Sequence, residues 1–204
     1  MDSAPFTERL ALRRLALTDA DVDNVLSLDA DPRVMRYLDR PKTRTEVERE
    51  ALPALIALSS HHPAYGAWAA ETREGGEFVG WLSLRPVAPT GEPMVEWRTA
   101  PRDSTDTVML GYRLRHDAWG RGYATEGARA LISYAFTTNA SGRPVQRIVA
   151  TTMAVNAGSR RVMEKAGLRY LRTVHVDWPD PLSGTEHGDV EYEITRAQWL
   201  RWHV

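Results

Sequence analysis

The chain of 204 residues contains no cysteine. That absence excludes thiol nucleophiles, CxxC redox pairs, zinc ribbons and iron–sulfur clusters, and it is compatible with a reducing compartment. An excess of one charge is missing too. The 26 basic and 27 acidic residues leave a net charge of −1, so there is no electrostatic footprint for nucleic acid or an anionic membrane. No run of about 18 apolar residues occurs, and Met1 to Leu17 mixes apolar positions with Glu8, Arg9, Arg13 and Arg14 where a signal peptide would carry an apolar core. The expectation is a cytoplasmic protein. Lysine is nearly absent: apart from Lys42 and Lys165 every basic residue is arginine, a bias of GC-rich coding more than of chemistry. What remains, 43% hydrophobic and 26% charged, fits a single globular domain over residues 1–204. A domain of this size buries roughly 70% of its unfolded surface without disulfides or a structural metal.

Arg9 to Leu15 alternates as a strand does, and Thr18 with Asp21 opens a helix carrying Val22, Val25 and Leu26. Thr43 with Glu46 signals a second helix through Leu58, which Pro53 is expected to kink or divide. Gly66 to Thr72 and Phe78 to Arg85 flank a polar Gly-Gly turn and read as a hairpin. Residues 87–107, with Pro89, Pro93 and Pro101, read as a flap or partner contact without regular structure. Val108 to Arg115 is the next strand. A helix with Ala128, Leu131, Ile132, Ala135 and Phe136 on one face follows, then a strand from Arg147 to Ala154. Asn156 caps a short helix ended by Gly167, and Leu168 to Val176 and Val190 to Thr195 complete the strands.

Between the strand ending at Arg115 and the helix lies Trp119-Gly120-Arg121-Gly122-Tyr123-Ala124-Thr125-Glu126. Glycines at such a turn let an anion reach main-chain amides that carry the partial positive charge of a helix N-terminus, so a phosphate or pyrophosphate is the expected guest. A dinucleotide fingerprint fails because Thr125 replaces the third glycine and no acid lies between Glu126 and Glu164. A nucleotide P-loop fails because GxxxxGK[ST] does not occur.

The turn resembles the acyl-coenzyme A signature of the GNAT acetyltransferase superfamily, [QR]xxGx[GA]. Trp119 at its edge and the run Gly-x-Gly-Tyr-Ala-Thr-Glu are similar to the ribosomal-protein alanine and serine N-acetyltransferase branch. Asn156-Ala-Gly-Ser159-Arg-Arg-Val162-Met-Glu164-Lys165-Ala-Gly167-Leu168 is similar to the same branch's NxxSxxVxEKxG[FL] segment. The resemblance implies an α/β (α+β) fold: a seven-stranded, mostly antiparallel sheet flanked by about four helices, whose fourth and fifth strands are parallel and splay apart. It implies acetyl-CoA as co-substrate, with no metal. Pantetheine would pair with the backbone of Leu110, Gly111 and Tyr112. The pyrophosphate would sit on Trp119, Gly120, Arg121, Gly122, Tyr123, Ala124 and Thr125, with Asn156 and Ser159 nearby. Packing and capping explain Trp119, Tyr123, Asn156 and Ser159 equally well.

Acetyl transfer to an amine needs a neutral nucleophile, a donor to the developing oxyanion and a proton for the departing thiolate. With no cysteine and no GxSxG elbow, direct attack in a ternary complex is the economical route. The tyrosine acid of many GNAT enzymes corresponds to Met163 here, so Ser159 is the candidate acid. Related sequences often carry glutamate where this one has Met109, which leaves the base open among His175, Asp177, Glu96, Glu191 and Glu193. The six histidines show no ligand spacing. The acceptor is read as a primary amine, with a peptide α-amine favoured over a small molecule. A coenzyme A-binding module without turnover, or an enzyme with another acyl donor, are the alternatives. Trp199, Leu200 and Trp202 hint at a homodimer contact.

Overall fold

The computed structural model describes residues 5–60, 65–89, 97–99, 106–138 and 144–203. Its main sheet has seven strands: β1 (Leu10–Arg14), β2 (Gly66–Thr72), β3 (Phe78–Pro89), β4 (Thr107–Leu114), β5 (Arg147–Met153), β6 (Arg169–Val174) and β7 (Asp189–Thr195). They lie in the order β1-β2-β3-β4-β5-β7-β6, antiparallel throughout except for β4 and β5. A short eighth strand, Trp97–Thr99, pairs with Val87–Pro89. Part of the expected flap is therefore a continuation of β3 that folds back on itself. Pro86 does not stop β3 because pairing with β2 ends at Leu84, so no ladder bond to β2 is lost there. Residues 61–64, with His61 and His62, and 90–96 and 100–105, with Glu96, lie outside the described residues.

Among the described residues six helices flank the sheet, where about four were expected. α1 (Asp19–Asp29) is N-capped by Thr18, and α2 (Pro32–Met35) by Asp31. α3 spans residues 44–60: a capping box of Thr43 and Glu46 opens it, and a π-helical turn, Val47–Ala51, precedes Leu52–Ser60. Pro53 has no N–H to give to Arg49, and the widened turn absorbs the defect without dividing the helix. α4 (Tyr123–Thr137) buries the predicted stripe. α5 (Ala157–Lys165) ends as read, with Gly167 at φ 98° and the Leu168 amide donating back to the Met163 carbonyl at 3.0 Å.

The two helices missed are α2, too short to show a period, and α6 (Arg196–His203). α6 carried a signal. Thr195, counted as the last strand residue, and Gln198 form a reciprocal cap, the Gln198 amide donating to Thr195 Oγ1 and Gln198 Oε1 accepting from the Thr195 amide.

Alternation along the strands sorts the core into two layers. Trp68, Leu82, Leu84, Leu110, Ile148 and Tyr192 face α4, α5 and α6, whereas Ala67 and Ala69 face α1 and α3. Gly127 sits inside α4 because a Cβ there would stand 2.5 Å from Leu82 Cδ2, so its absence sets how closely α4 approaches β3. Trp199, offered as a subunit contact, is instead core: it is buried with its ring 5.7 Å from that of Phe136. Leu200 packs on the same cluster, and the Trp202 side chain lies outside the described residues.

Candidate active site

β4 and β5 pair only through Thr107↔Arg147, Val108↔Ile148 and Met109↔Val149. Beyond Met109, β4 keeps β3 and β5 keeps β7, so the two strands part and the Leu110–Leu114 edge faces an opening. An edge of this kind offers unpaired main-chain groups to an extended ligand. Gly111 and Tyr112 are half-buried there, while the Leu110 side chain is core, so only its backbone is available to a ligand.

At the end of β4 a turn of 3₁₀-helix, His116–Ala118, leads into the glycine turn. Gly120 (φ 75°) and Gly122 (φ 83°) are left-handed and exposed, and a Cβ on Gly120 would meet nothing within 4 Å. Gly122 caps α4 without a side chain, which leaves the first amides of that helix, at Tyr123, Ala124 and Thr125, free of any capping side chain. The corner is thus open and its helix end electropositive.

Arg9 holds the turn in place. Its guanidinium donates to the Arg121 carbonyl at 3.0 Å and to Glu126, and lies 4.9 Å over the Tyr123 ring. Burial pushes the Glu126 carboxyl up, but the hydrogen bonds from Arg9 outweigh it and hold the group below the ordinary carboxylate range. Trp119 is 47% exposed, its ring 4.8 Å from His116 and its Nε1–H bonded to the Leu114 carbonyl.

Across the opening, Asn156 caps α5 by accepting the Ser159 amide at 3.2 Å and donates to Thr152 Oγ1 at 3.1 Å. Both ends of its side chain serve the fold. The Tyr112 hydroxyl meets Ser159 Oγ at 2.9 Å and donates to the Ser159 carbonyl at 3.0 Å, bridging β4 and α5 over the gap. Burial pushes the Tyr112 phenol up to about 12, so it stays protonated. The sequence offered Tyr112 for its backbone alone. Its alternation with Leu110 on the α5 side of β4 was the available signal for the side chain.

The other candidates do not all converge here. His175 and Asp177 are exposed beyond the end of β6, two strands across from β5, though at the end of the sheet where the opening lies. Glu191 and Glu193 are spent on ion pairs, with Arg172 at 2.7 Å and Arg147 at 2.7 Å. Met163 is core, and Met109 is buried with Val87 and Val149. The sequence reading missed Asp189. It begins β7 beside Met153 of β5, and its half-buried carboxyl, which has no hydrogen-bond partner among the described residues, is pushed above its ordinary value by burial.

A family model described as "Acetyltransferase (GNAT) domain" matches residues 9–169. The chain belongs to the GNAT acetyltransferase family. As a GNAT protein it is 36% identical, over 86% of its length and 70% of the relative's, to the FsC-acetyl coenzyme A-N(2)-transacetylase of Aspergillus fumigatus. Its fold is similar to a GNAT acetyltransferase from Bacillus anthracis (TM-score 0.70, 21% identity, 94% and 98% of the two chains). It is similar as well to RimL, the ribosomal L7/L12 α-N-protein acetyltransferase solved with coenzyme A (TM-score 0.68, 18% identity, 94% and 96%). The protein is an acetyl-CoA-dependent N-acetyltransferase. Among the described residues no helix is long and apolar enough to cross a membrane.

Proposed function

We propose that this GNAT enzyme acetylates a primary amine, a peptide α-amine or a small molecule, by direct attack within a ternary complex. The observation that carries the reading is the meeting of the Tyr112 and Ser159 hydroxyls across the opening of β4 from β5. The amine nitrogen attacks the thioester carbonyl carbon, and a main-chain amide of Leu110, Gly111 or Tyr112 donates to the oxygen as it gains charge. The C–S bond breaks and the thiolate takes the proton of Ser159 Oγ, the Tyr112 hydroxyl turns its own proton from the Ser159 carbonyl to Oγ, and the phenolate recovers a proton from water. The acceptor nitrogen gives up its proton through water to a carboxylate at the same end of the sheet. Asp189, desolvated and without a partner among the described residues, serves this better than the exposed His175 and Asp177.

The Asn-x-x-Ser segment and the Trp119 turn support kinship with the ribosomal-protein N-acetyltransferase branch, and the name of the fungal relative, an N(2)-transacetylase, supports a nitrogen acceptor. The test is thiol release from acetyl-CoA with a panel of N-terminal peptides and small amines. Release with at least one class is expected. Tight coenzyme binding with no transfer to any amine overturns the reading.

A further inference from the structure

The loop between β6 and β7 lines an open surface pocket of about 420 Å³ at the end of the sheet where the opening lies. Gly184, on this loop, packs so tightly on the end of β5 that a Cβ there would lie 2.6 Å from Val155 Cγ2, next to the Asn156 cap of α5. The pocket wall combines the indole of Trp178, 42% exposed, with the aliphatic Val176 and Leu182 and the carboxylates of Asp177 and Glu186. No lysine or arginine lines it. Glu186 Oε2 accepts the Gly184 amide at 2.8 Å, and Oε1 lies 3.6 Å from His187 Nε2.

Charge is sorted along the chain in the same sense. From Thr173 to Thr195 there is neither lysine nor arginine, whereas Asp177, Asp180, Glu186, Asp189, Glu191 and Glu193 all fall in that span. Of these, Glu191 and Glu193 are neutralised by Arg172 and Arg147. At the glycine turn the exposed charges are Arg9, paired with Glu126, Asp117, paired with Arg115, and Arg121. An aromatic face with carboxylates beside it attracts an ammonium or guanidinium group. The reacting nitrogen is not that group, because carboxylates hold an amine in its protonated, non-nucleophilic form.

We infer that the acceptor carries a second cationic group besides the amine it presents for acetylation, and that this group docks in the β6–β7 pocket against Trp178, Asp177 and Glu186. The inference rests on the amine-acetylation reading above. Three acceptors that present the same terminal alkylamine separate the two: cadaverine, pentylamine and δ-aminovalerate, which carry a second, equivalent ammonium (a twofold statistical factor), nothing and a carboxylate at the far end. With the wild-type enzyme, kcat/KM is expected to fall about tenfold or more from cadaverine to pentylamine and further to δ-aminovalerate. Trp178→Ala and Glu186→Gln raise KM for cadaverine several-fold and leave that for pentylamine and the coenzyme Kd in place. Glutamine at 186 keeps an acceptor for the Gly184 amide, so loss of the loop is not the cause. Equal kcat/KM for the three acceptors, or an unchanged cadaverine KM in both variants, overturns the inference and leaves amine acetylation standing. No transfer to any amine overturns both.

Discussion

Arg9 donates twice to one carboxylate 117 residues away: its main-chain amide reaches Glu126 Oε1 at 2.7 Å and its Nε reaches Oε2 at 2.6 Å. The residue that leads into β1 thereby fastens the first turn of α4. Because the carboxyl is held below its ordinary value, its contribution to stability is present above the unfolded carboxylate range and is lost as pH falls through the folded value. Thermal unfolding of wild type and Glu126→Gln followed from neutral to acidic pH is expected to show a gap at neutral pH that closes on acidification. Half of the Arg9 side chain is exposed, so the gap is about 1 kcal/mol at most. A gap independent of pH would mean that the pair is not what titrates.

The glycine turn makes a sharper prediction for the coenzyme. A side chain on Gly120 has room but a left-handed backbone, which costs about 1–2 kcal/mol, so Gly120→Ala weakens coenzyme A modestly. Gly122→Asp adds that strain and sets a carboxylate at the helix end meant for a pyrophosphate. Isothermal titration is expected to show binding weakened at least a hundredfold. Retained affinity would place the phosphates elsewhere.

These turns were legible because their chemistry is local. An N-cap and an αL terminator each announce themselves within four residues, which is why Asn156 and Gly167 take the conformations the sequence implies. The parallel pair β4 and β5 came from resemblance alone, since nothing within either strand states its partner. Asp189 and the Tyr112 hydroxyl were missed for one reason: burial and a contact spanning 47 residues exist only after folding. Trp199 failed in the opposite direction. An apolar residue near a chain end reads as surface until the strand before it turns it inward onto Phe136.

The proposed role of Asp189 as proton acceptor predicts a link between activity and pH. Burial raises its carboxyl, so charging it costs stability, and that cost appears as pH rises through the folded value. Asp189→Asn is expected to be the more stable protein at neutral pH by up to about 1 kcal/mol, with the advantage gone below the ordinary carboxylate range. It should also lose the acidic limb of the kcat/KM profile along with most activity. A variant with wild-type turnover retires Asp189 as the proton acceptor.

Gly127 tests the packing of α4 with a sign that propensity alone gets wrong. Glycine to alanine within a helix ordinarily stabilises by about 1 kcal/mol. Here the new methyl would meet Leu82 Cδ2 at 2.5 Å and Cδ1 at 2.9 Å, in a layer that is already filled. Gly127→Ala is therefore expected to destabilise by about 1–3 kcal/mol in chemical denaturation. Trimming the obstacle in Gly127→Ala/Leu82→Val should recover part of that loss, a coupling that independent sites do not show.

The hydroxyl pair gives the prediction closest to the chemistry. If Ser159 protonates the thiolate, Ser159→Ala lowers kcat by about 10²-fold or more while the coenzyme Kd changes little. Tyr112→Phe leaves Ser159 its proton but removes the group that replaces it, so a smaller loss is expected. Since both act on one proton, the double variant should be barely slower than Ser159→Ala alone. Thiophenyl acetate, whose thiolate leaves without help, should be transferred by Ser159→Ala at nearly the wild-type rate. Losses that multiply in the double variant, or persist with the better leaving group, would make the bridge between β4 and α5 a brace for the opening and not a path for the proton.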